Sequence, residues 1–297
     1  HIGRAVGQVV AGKFYPGSRT MASSELDECL AVEIGPGQLE GRVVGGVVPH
    51  AGWVCSGKVA ARTFKAIHAT RPEVATFVLF GAVHRHGVHQ GALFARGAWE
   101  SPLGQIKIDE RLAERILANT NLVQDEPYAH EEEHSIEVQV PFIQRLFPEA
   151  RIVPLMVPPN GHAPSIGAIV AQVIRNYGVD AVCVGSSDLT HYGPSYGFVP
   201  KGRGAEGIRW AKEVNDRRLL DAIEKLDPEG VIEAAVTCQS ACGAGAIAAA
   251  IAAARESGAV AARVLEHTNS AETLAGRYGG GMSDAVGYAS VVFLANE

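Results

Sequence analysis

The chain has 297 residues, of which 47% are hydrophobic and 20% are charged, and its formal net charge is -6. This composition excludes disorder as the main state, and the acidic balance argues against nucleic-acid binding, which needs a concentrated basic face. No apolar run stays free of charges, Gly and Pro over the roughly 18 residues that a membrane helix needs. The five cysteines are scattered and odd in number. That pattern is atypical of a disulfide framework and favours a cytoplasmic location.

Apolar, β-rich runs alternate with helical patterns through most of the sequence. In chain order, the predicted elements are strand 43–48, helix 57–68, strand 76–80, helix 110–119, helix 135–147, strand 151–157, helix 164–177, strand 181–184, helix 208–225, helix 241–257, strand 261–266 and strand 286–294. The strands are nearly continuous in Val, Ile, Leu and Ala, which is typical of a sheet covered on both faces. With no repeat and no low-complexity linker, we predict a single α/β domain over residues 1–297. Its expected architecture is three-layer α/β/α with a mostly parallel central sheet.

Three segments carry more specific predictions. Ser135 is expected to cap helix 135–147, with Glu137 in the first turn, where the helix dipole favours a negative charge. Residues 241–254 are almost all small, so their helix is expected to approach the sheet closely. The glycines at 279–281 lack the Lys and Ser/Thr of a phosphate-binding loop and are interpreted as a flexible turn.

Polar residues follow the predicted strands, at the edge where open α/β sheets bind ligands. His50 and His84 each come just after a buried strand, so their imidazoles can converge on one metal ion. The alternative is a pair of ordinary hydrogen-bonded loop histidines. Asp188 and His191 follow a third strand and are three residues apart. They can transfer a proton or complete a metal site, or they form an Asx turn that only ends the strand.

The other candidates lie near predicted helix starts. Cys242 is close to a helix N-terminus, a setting that lowers a thiol pKa. It can also be a structural residue, or form a zinc half-site with Cys238. The three consecutive glutamates at 131–133 are interpreted as a solvated surface. His134 and Glu137 are three residues apart and therefore share one face of a helix.

An ordered set of short motifs covers nearly the whole chain. The motifs are Ala11-Gly12-Lys13-Phe14-Tyr15-Pro16, Val48-Pro49-His50-Ala51-Gly52-Trp53, Gly81-Ala82-Val83-His84, Glu133-His134-Ser135-Ile136-Glu137, Ser186-Ser187-Asp188-Leu189-Thr190-His191-Tyr192-Gly193, Cys242-Gly243 and Val286-Gly287-Tyr288-Ala289. In order and spacing they resemble the Memo family, whose microbial members are called AmmeMemoRadiSam system protein B.

The Memo family is similar in fold to class III extradiol dioxygenases, which open catechol rings with non-haem Fe(II) held by two His and one carboxylate. The resemblance implies a metal site of His50, His84 and Cys242, in which the Cys takes the place of the carboxylate. It also implies that His191 is an acid/base residue and that Asp188 acts beside it. The substrate pocket implied by the resemblance includes Tyr15, His134 and Glu137.

A Cys ligand favours softer or more oxidisable ions, so the predicted cofactor is Fe(II), with Cu or Zn as alternatives. The resulting hypothesis is a dioxygenase-like oxidoreductase that binds dioxygen and a phenolic or enediol small molecule, with His191 accepting the substrate proton. Two alternatives stay open. One is a non-catalytic scaffold that holds a metal or binds a phosphopeptide or phenol, and the other is a zinc hydrolase. The resemblance further implies a functional link to radical SAM and AMMECR-type proteins, and we expect neither a nucleic-acid nor a membrane partner.

Overall fold

The structure, a computed structural model, describes residues 5–35, 37–277 and 281–296, so that only Gly281 of the predicted turn at 279–281 lies within it. The strands are β1 (Ala5–Val6), β2 (Arg42–Val48), β3 (Thr76–Gly81), β4 (Gly91–Leu93), β5 (Ala98–Ser101), β6 (Gly104–Lys107), β7 (Val123–Asp125), β8 (Arg151–Met156), β9 (Ala181–Ser186), β10 (His191–Tyr192), β11 (Ala259–Asn269) and β12 (Ala285–Ala295). The helices are α1 (Arg19–Leu30), α2 (Trp53–Thr70), α3 (Glu110–Asn119), α4 (Val140–Leu146), α5 (Ala163–Tyr177), α6 (Ala205–Trp210), α7 (Arg217–Glu224), α8 (Pro228–Cys238), α9 (Ala244–Glu256) and α10 (Ser270–Thr273). Within the described ranges, no helix combines the length and the apolar character that a membrane crossing needs.

The central sheet is built around parallel strands. β2, β9, β3 and β8 lie side by side in this order, each parallel to its neighbour. At one end β12 is antiparallel to β2 and also pairs with β10 and β11. At the other end β4 is antiparallel to β8, and β7 is parallel to β4. The mostly parallel sheet expected from the sequence is confirmed; β1, β5 and β6 form a separate small sheet.

Helices cover both faces of the sheet because its central strands are apolar at consecutive positions. On β3, Val78 and Phe80 pack into one cluster with residues of α5 and α9, whereas Phe77 and Leu79 pack into a second cluster with residues of α2 and α4. Each of these four residues is at most 1% exposed. Full burial of such a side chain contributes about 1.5 to 3 kcal/mol. The predicted α/β fold with helices on both sides of the sheet is confirmed.

Helix α9 packs very closely against its neighbours, as its small residues predict. Its residues 244–254 are all buried. A Cβ on Gly185 of β9 would lie 2.6 Å from the carbonyl oxygen of Ala246. A Cβ on Gly167 of α5 would overlap the carbonyl oxygen of Ala249. Because α9 lies this close to β9, the loop that precedes α9 reaches the carboxyl end of that strand.

Two predicted helices differ from the structure. α4 begins at Val140, and residues 137–139 form a 3-10 turn. Ser135 does not cap this helix, because its hydroxyl accepts a hydrogen bond from the backbone N–H of Ala82 at 3.0 Å. The helix predicted over 208–225 starts at Ala205 and contains a π-helical segment, Ala211–Asp216. Helices α1 and α8 have no counterpart in the sequence prediction.

Candidate metal centre

The candidate metal ligands lie at the carboxyl edge of three adjacent parallel strands. β9 lies between β2 and β3, and His50, His84 and Asp188 follow the ends of β2, β3 and β9. Cys242 lies in the loop between α8 and α9, and His134 lies in the segment before α4. Because parallel strands direct their following loops to the same edge, residues that are far apart in the chain form one cluster.

His50 is held through Nδ1, with its Nε2 facing the other candidate ligands. Its Nδ1 lies 3.0 Å from the hydroxyl of Ser186, which donates its own proton to the carbonyl of Ser135 at 2.7 Å. The hydroxyl therefore accepts from His50, and the proton of the neutral ring is on Nδ1. Nε2 lies 3.2 Å from Sγ of Cys242. Burial lowers the pKa of His50 to about 4, against the opposing charge of Asp188, so the ring is neutral, as metal binding requires.

A buried carboxylate orients the second histidine. Glu133 is 1% exposed, and both of its oxygens lie 3.0 Å from Nδ1 of His84. Burial alone would raise the pKa of Glu133, but the hydrogen bond and charge of His84, with the N–H of Ser135, lower it to about 2. For His84 the signs are reversed. Burial lowers its pKa, but the hydrogen bond and charge of Glu133 raise it by more, so the pKa of His84 lies above its usual value. The interpretation of residues 131–133 as a solvated surface is wrong for Glu133, whose position leaves Nε2 of His84 free for a metal.

His134 adds a third imidazole beside the first two. Its ring stacks on that of His84, with centroids 4.9 Å apart and planes 8° apart, and it stands edge-on to His50 at 5.3 Å. Its backbone N–H donates to the carboxylate of Glu133 at 2.9 Å. Burial lowers the pKa of His134, with Glu133 opposing it, so the neutral ring is favoured. His134 therefore has the position and protonation state of a possible ligand.

Cys242 and Asp188 form a second group of donors around His50. Oδ2 of Asp188 lies 3.9 Å from Nε2 of His50, and Oδ1 accepts the backbone N–H of His50 at 2.8 Å. The backbone N–H of Cys242 donates to the carbonyl of Asp188 at 3.3 Å, which joins the two loops. Burial raises the pKa of the Cys242 thiol, and the charge of Asp188 raises it further. The prediction of a lowered thiol pKa is wrong for the metal-free protein, because burial and the charge of Asp188 raise it. A coordinated thiol, by contrast, is deprotonated.

The two donor groups share His50, and their chemistry fits a transition-metal ion. One group is His50, His84 and His134, and the other is His50, Asp188 and Cys242. Within each group the potential ligand atoms lie within 4.8 Å of one another. The site implied by the family resemblance, His50, His84 and Cys242, takes members from both. Imidazole suits Fe, Cu and Zn, and a thiolate favours the softer ions, whereas Ca and Mg prefer oxygen ligands.

A cavity of about 390 Å³ lies beside these donors and includes His191 in its wall. His134 and Asp188 line it from the donor groups. Nδ1 of His191 lies 3.1 Å from the carbonyl oxygen of Leu189, which can only accept, so Nδ1 carries the proton and Nε2 is the basic nitrogen. The ring of Tyr196 stands edge-on to His191 at 5.1 Å. A molecule in the cavity can therefore give a proton to His191. The remaining lining residues are Phe14, Ala51, Gly52, Cys55, Ser270, Leu274, Met282, Asp284, Val286 and Tyr288.

Tyr15 and Glu137, which the resemblance assigns to the substrate pocket, are buried against each other and do not line this cavity. The hydroxyl of Tyr15 donates to Oε1 of Glu137 at 2.7 Å. The backbone N–H groups of Val9 and Val10 donate to the same carboxylate at 2.9 and 3.0 Å. The ring of Tyr15 stacks on Trp53 at 4.9 Å. In the structure this pair anchors the N-terminal segment.

Several residues of the site are not among the candidates that the sequence predicts. Glu133 and Ser186 orient the two histidines. Tyr196 lines the cavity from the turn after β10, and Asp284 and Tyr288 line it from just before β12 and from within it. A single Tyr or Asp has no spacing from which its function can be predicted. For Glu133 the available signal is its place at the start of the motif over residues 133–137.

The fold and the site together define an α/β protein with a candidate metal centre at the carboxyl edge of its sheet. Residues 7–292 match a family model described as Memo-like protein. The chain therefore belongs to the Memo family, in agreement with its motifs.

Relatives of this chain include archaeal proteins of nearly the same length. The chain is 36% identical over 293 residues to a MEMO1 family protein of Thermococcus onnurineus, with 96% of this chain and 97% of that protein covered. The identity to a MEMO1 family protein of Pyrobaculum aerophilum is also 36% over 293 residues, with 96% of this chain and 97% of that protein covered. A MEMO1 family protein of Methanosarcina acetivorans is 37% identical over 288 residues, with 95% and 97% covered. Among solved structures, an uncharacterized protein of Escherichia coli K12 aligns with a TM-score of 0.46 at 12% identity, covering 84% of this chain and 100% of that chain.

Proposed function

We propose that this protein is a metal-dependent oxidoreductase that acts on a phenolic or enediol small molecule together with dioxygen. The observation that carries the proposal is that two groups of potential ligands share His50, beside a cavity that His191 lines. His50, His84 and Cys242 would hold the ion, and His134 is the nearest additional imidazole. Fe(II) is the proposed ion, and the same donors suit Cu or Zn.

In this proposal the protein's residues hold the substrate and move its proton. When bound, Fe(II) would supply a centre for electron transfer between the substrate and dioxygen. Nε2 of His191 accepts the proton of a substrate hydroxyl, because its Nδ1 is already bonded to the carbonyl of Leu189. Asp188 fixes the loop that carries His191 by accepting the backbone N–H of His50. Apolar cavity residues such as Val286 limit the access of water.

Metal analysis followed by oxygen uptake tests the proposal. The protein is purified without oxygen, assayed for metal, loaded with Fe(II) and mixed with a panel of catechols. We expect one ion per chain and metal-dependent oxygen uptake with a member of the panel. Cys242→Ser should lose the ion, whereas Cys238→Ser, which changes a partly buried thiol in the same region, should keep it.

His191→Gln separates catalysis from ligand holding. We expect this variant to keep its metal and to lose oxygen uptake, because His191 lies outside both donor groups. A non-catalytic scaffold, the second class of function that the sequence leaves open, would show only a change in ligand affinity. An absence of metal-dependent uptake with every catechol would contradict the oxygenase proposal.

The family resemblance alone supports the proposed link to radical SAM and AMMECR-type proteins. The cytoplasmic location is likewise a proposal, supported by the five cysteines, all of which are free thiols.

A further inference from the structure

The cavity beside the metal donors has aromatic walls and a negatively charged rim. Phe14, Tyr196 and Tyr288 supply rings to the wall, and Leu274 and Val286 supply aliphatic side chains. Its volume of about 390 Å³ is at the small end of the range for ligand pockets, which suits a single-ring molecule.

The charged groups of this cavity are carboxylates. Asp188 and Asp284 line it, whereas no Lys or Arg does so among residues 5–35, 37–277 and 281–296. His134 and His191 also line it. Lys58 and Arg277 line a neighbouring cavity that shares Cys55 with this one. That second cavity also contains the carboxylates of Glu25, Glu28 and Glu266.

Asp284 is held as an anion by neutral donors. Its Oδ1 accepts the backbone N–H of Ser195 at 3.0 Å, and its Oδ2 accepts the hydroxyls of Ser195 at 3.0 Å and Ser283 at 3.2 Å. The N–H of Ser195 is the main cause of the lowered pKa of Asp284. Because these partners carry no charge, the negative charge of Asp284 stays available to a ligand.

Tyr196 provides an aromatic surface next to this charge. It is 47% exposed although its ring contacts that of His191, and its side chain lies within the electrostatic influence of both Asp284 and Asp188. Aromatic faces attract ammonium groups, and a nearby carboxylate adds to that attraction. The rim of the cavity therefore offers two favourable interactions to a cation and a repulsive one to an anion.

From this arrangement we propose that the substrate is a phenol or catechol that carries a positively charged amine, with the ammonium group between Asp284 and the ring of Tyr196. This inference rests on the proposed function, since it directs the phenolic oxygen towards His191 and the metal donors. Phosphorylated and carboxylated phenols are disfavoured because they would place an anion beside Asp284 and Asp188, with no Lys or Arg among the described lining residues.

Binding to the zinc-loaded protein tests the charge preference without requiring turnover. The probes are tyramine, para-ethylphenol, para-hydroxyphenylacetate and phenyl phosphate, which share one ring and differ in charge. We expect tyramine to bind about tenfold more tightly than para-hydroxyphenylacetate, since an ion pair and a cation–π contact are gained and a repulsion is removed. Raising the salt concentration should reduce this ratio. Equal or tighter binding of either anion, or no binding of any phenol, would overturn the inference.

Two variants assign the preference to the rim. Asp284→Asn keeps an acceptor for Ser195 and removes the charge, so the affinity for tyramine should fall close to that for para-ethylphenol. Asp221→Asn changes an exposed carboxylate on α7 and should leave the preference for tyramine as it is in the natural chain. A preference that persists in Asp284→Asn would contradict the assignment. Zinc is redox-inactive, so the binding preference is measured without any oxidation of the probe. A failure of oxygen uptake in the Fe(II) experiment would therefore count against the proposed function and not against this preference.

Discussion

Nδ1 of His84 lies 3.0 Å from both carboxylate oxygens of Glu133, and the Glu133 side chain is fully buried. A buried carboxylate next to a histidine fixes the orientation of the ring and makes its far nitrogen a better metal ligand. Glu133 also accepts backbone N–H groups on both sides of this contact, so the loop after β3 and the segment before α4 are held in one geometry. The geometry of the candidate metal centre therefore depends on a residue that belongs to neither donor group.

Glu133→Gln should weaken metal binding by about 10- to 100-fold, the usual effect of removing such a partner of a ligating histidine. The amide keeps one acceptor for Nδ1 of His84 but loses the charge. Zinc titration of the metal-free protein measures the change. Glu132→Gln, which alters the exposed neighbour, is the matched control and should bind zinc like the natural chain. Unchanged affinity in Glu133→Gln would show that Glu133 does not orient His84.

The sequence predicts the parallel strands and the first residues that follow them. Short continuous apolar runs that alternate with helical patterns favour a sheet covered on both faces, and from that sheet the positions of His50, His84 and Asp188 follow. Glu133 is different, because three successive glutamates look like a solvated surface until the tertiary structure buries one of them. The same holds for Ser135, whose hydroxyl caps a helix in many sequences but here binds Ala82 across the fold.

Helix α1 and the π-helical segment before α7 are two elements that the sequence does not predict. Helix α1 has few apolar residues and is buried only at Ala22, Leu26 and Cys29. The π-helical segment before α7 follows no residue pattern, yet it places Asp216 in the interior. Local propensity is a weak guide in such cases, because packing determines the conformation.

Tyr15→Phe should destabilise the fold and leave the metal centre unchanged. The variant removes a hydrogen bond to the Glu137 carboxylate, and such charged bonds contribute about 1.5 to 3 kcal/mol. Chemical denaturation should therefore show a lower free energy of unfolding, with zinc and tyramine affinities unaltered. Tyr177→Phe, which keeps the ring of a partly buried tyrosine at the end of α5, should change stability by less than about 0.5 kcal/mol. Weaker tyramine binding without a loss of stability would instead return Tyr15 to the substrate pocket that the family resemblance implies.

Gly167→Ala should destabilise the protein although alanine is the better helix former. Alanine in a helix is normally favoured over glycine by about 1 kcal/mol, but here the new methyl would overlap the backbone of α9 at Ala249. Overpacking of this kind costs about 1 to 3 kcal/mol. Gly161→Ala, where a Cβ meets no atom within 4 Å, is the control and should be close to neutral. A stabilised Gly167→Ala protein would mean that α5 and α9 are further apart than in the structure.

Asp216→Ala should lower the free energy of unfolding by about 1 to 3 kcal/mol, the cost of leaving buried hydrogen-bonding groups without their partner. Asp216 accepts the backbone N–H of Thr190 at 3.0 Å and lies 2.9 Å from Nε2 of His267. Asp216→Asn should recover much of this loss, because the amide oxygen still accepts from Thr190 and the amide remains within hydrogen-bonding distance of Nε2 of His267. A loss below about 1 kcal/mol in the alanine variant, measured by chemical denaturation, would contradict this anchoring role.

His130 should make stability fall as the pH decreases from about 6.5 to 4. Its ring is fully buried between Phe94 and Trp99, and Nε2 lies 2.9 Å from the carbonyl oxygen of Ala92. Burial lowers the pKa of His130 from 6.5 to about 4, so in this pH window the unfolded chain binds a proton that the folded chain does not. Stability therefore rises with pH across the window, by up to about 1.4 kcal/mol per pH unit for one group, and is independent of this group below pH 4.

Replacement of His130 should reduce that slope in the metal-free protein. His130→Gln keeps a donor for the Ala92 carbonyl and His130→Phe does not, so the two variants should differ in stability at neutral pH. Both remove the same titrating group, and the slope of unfolding free energy against pH should drop equally in both. Denaturation curves at several pH values between 4 and 7 measure this quantity. An unchanged slope in both variants would mean that His130 is already protonated in the folded chain, which its contact with a carbonyl and two aromatic rings makes unfavourable.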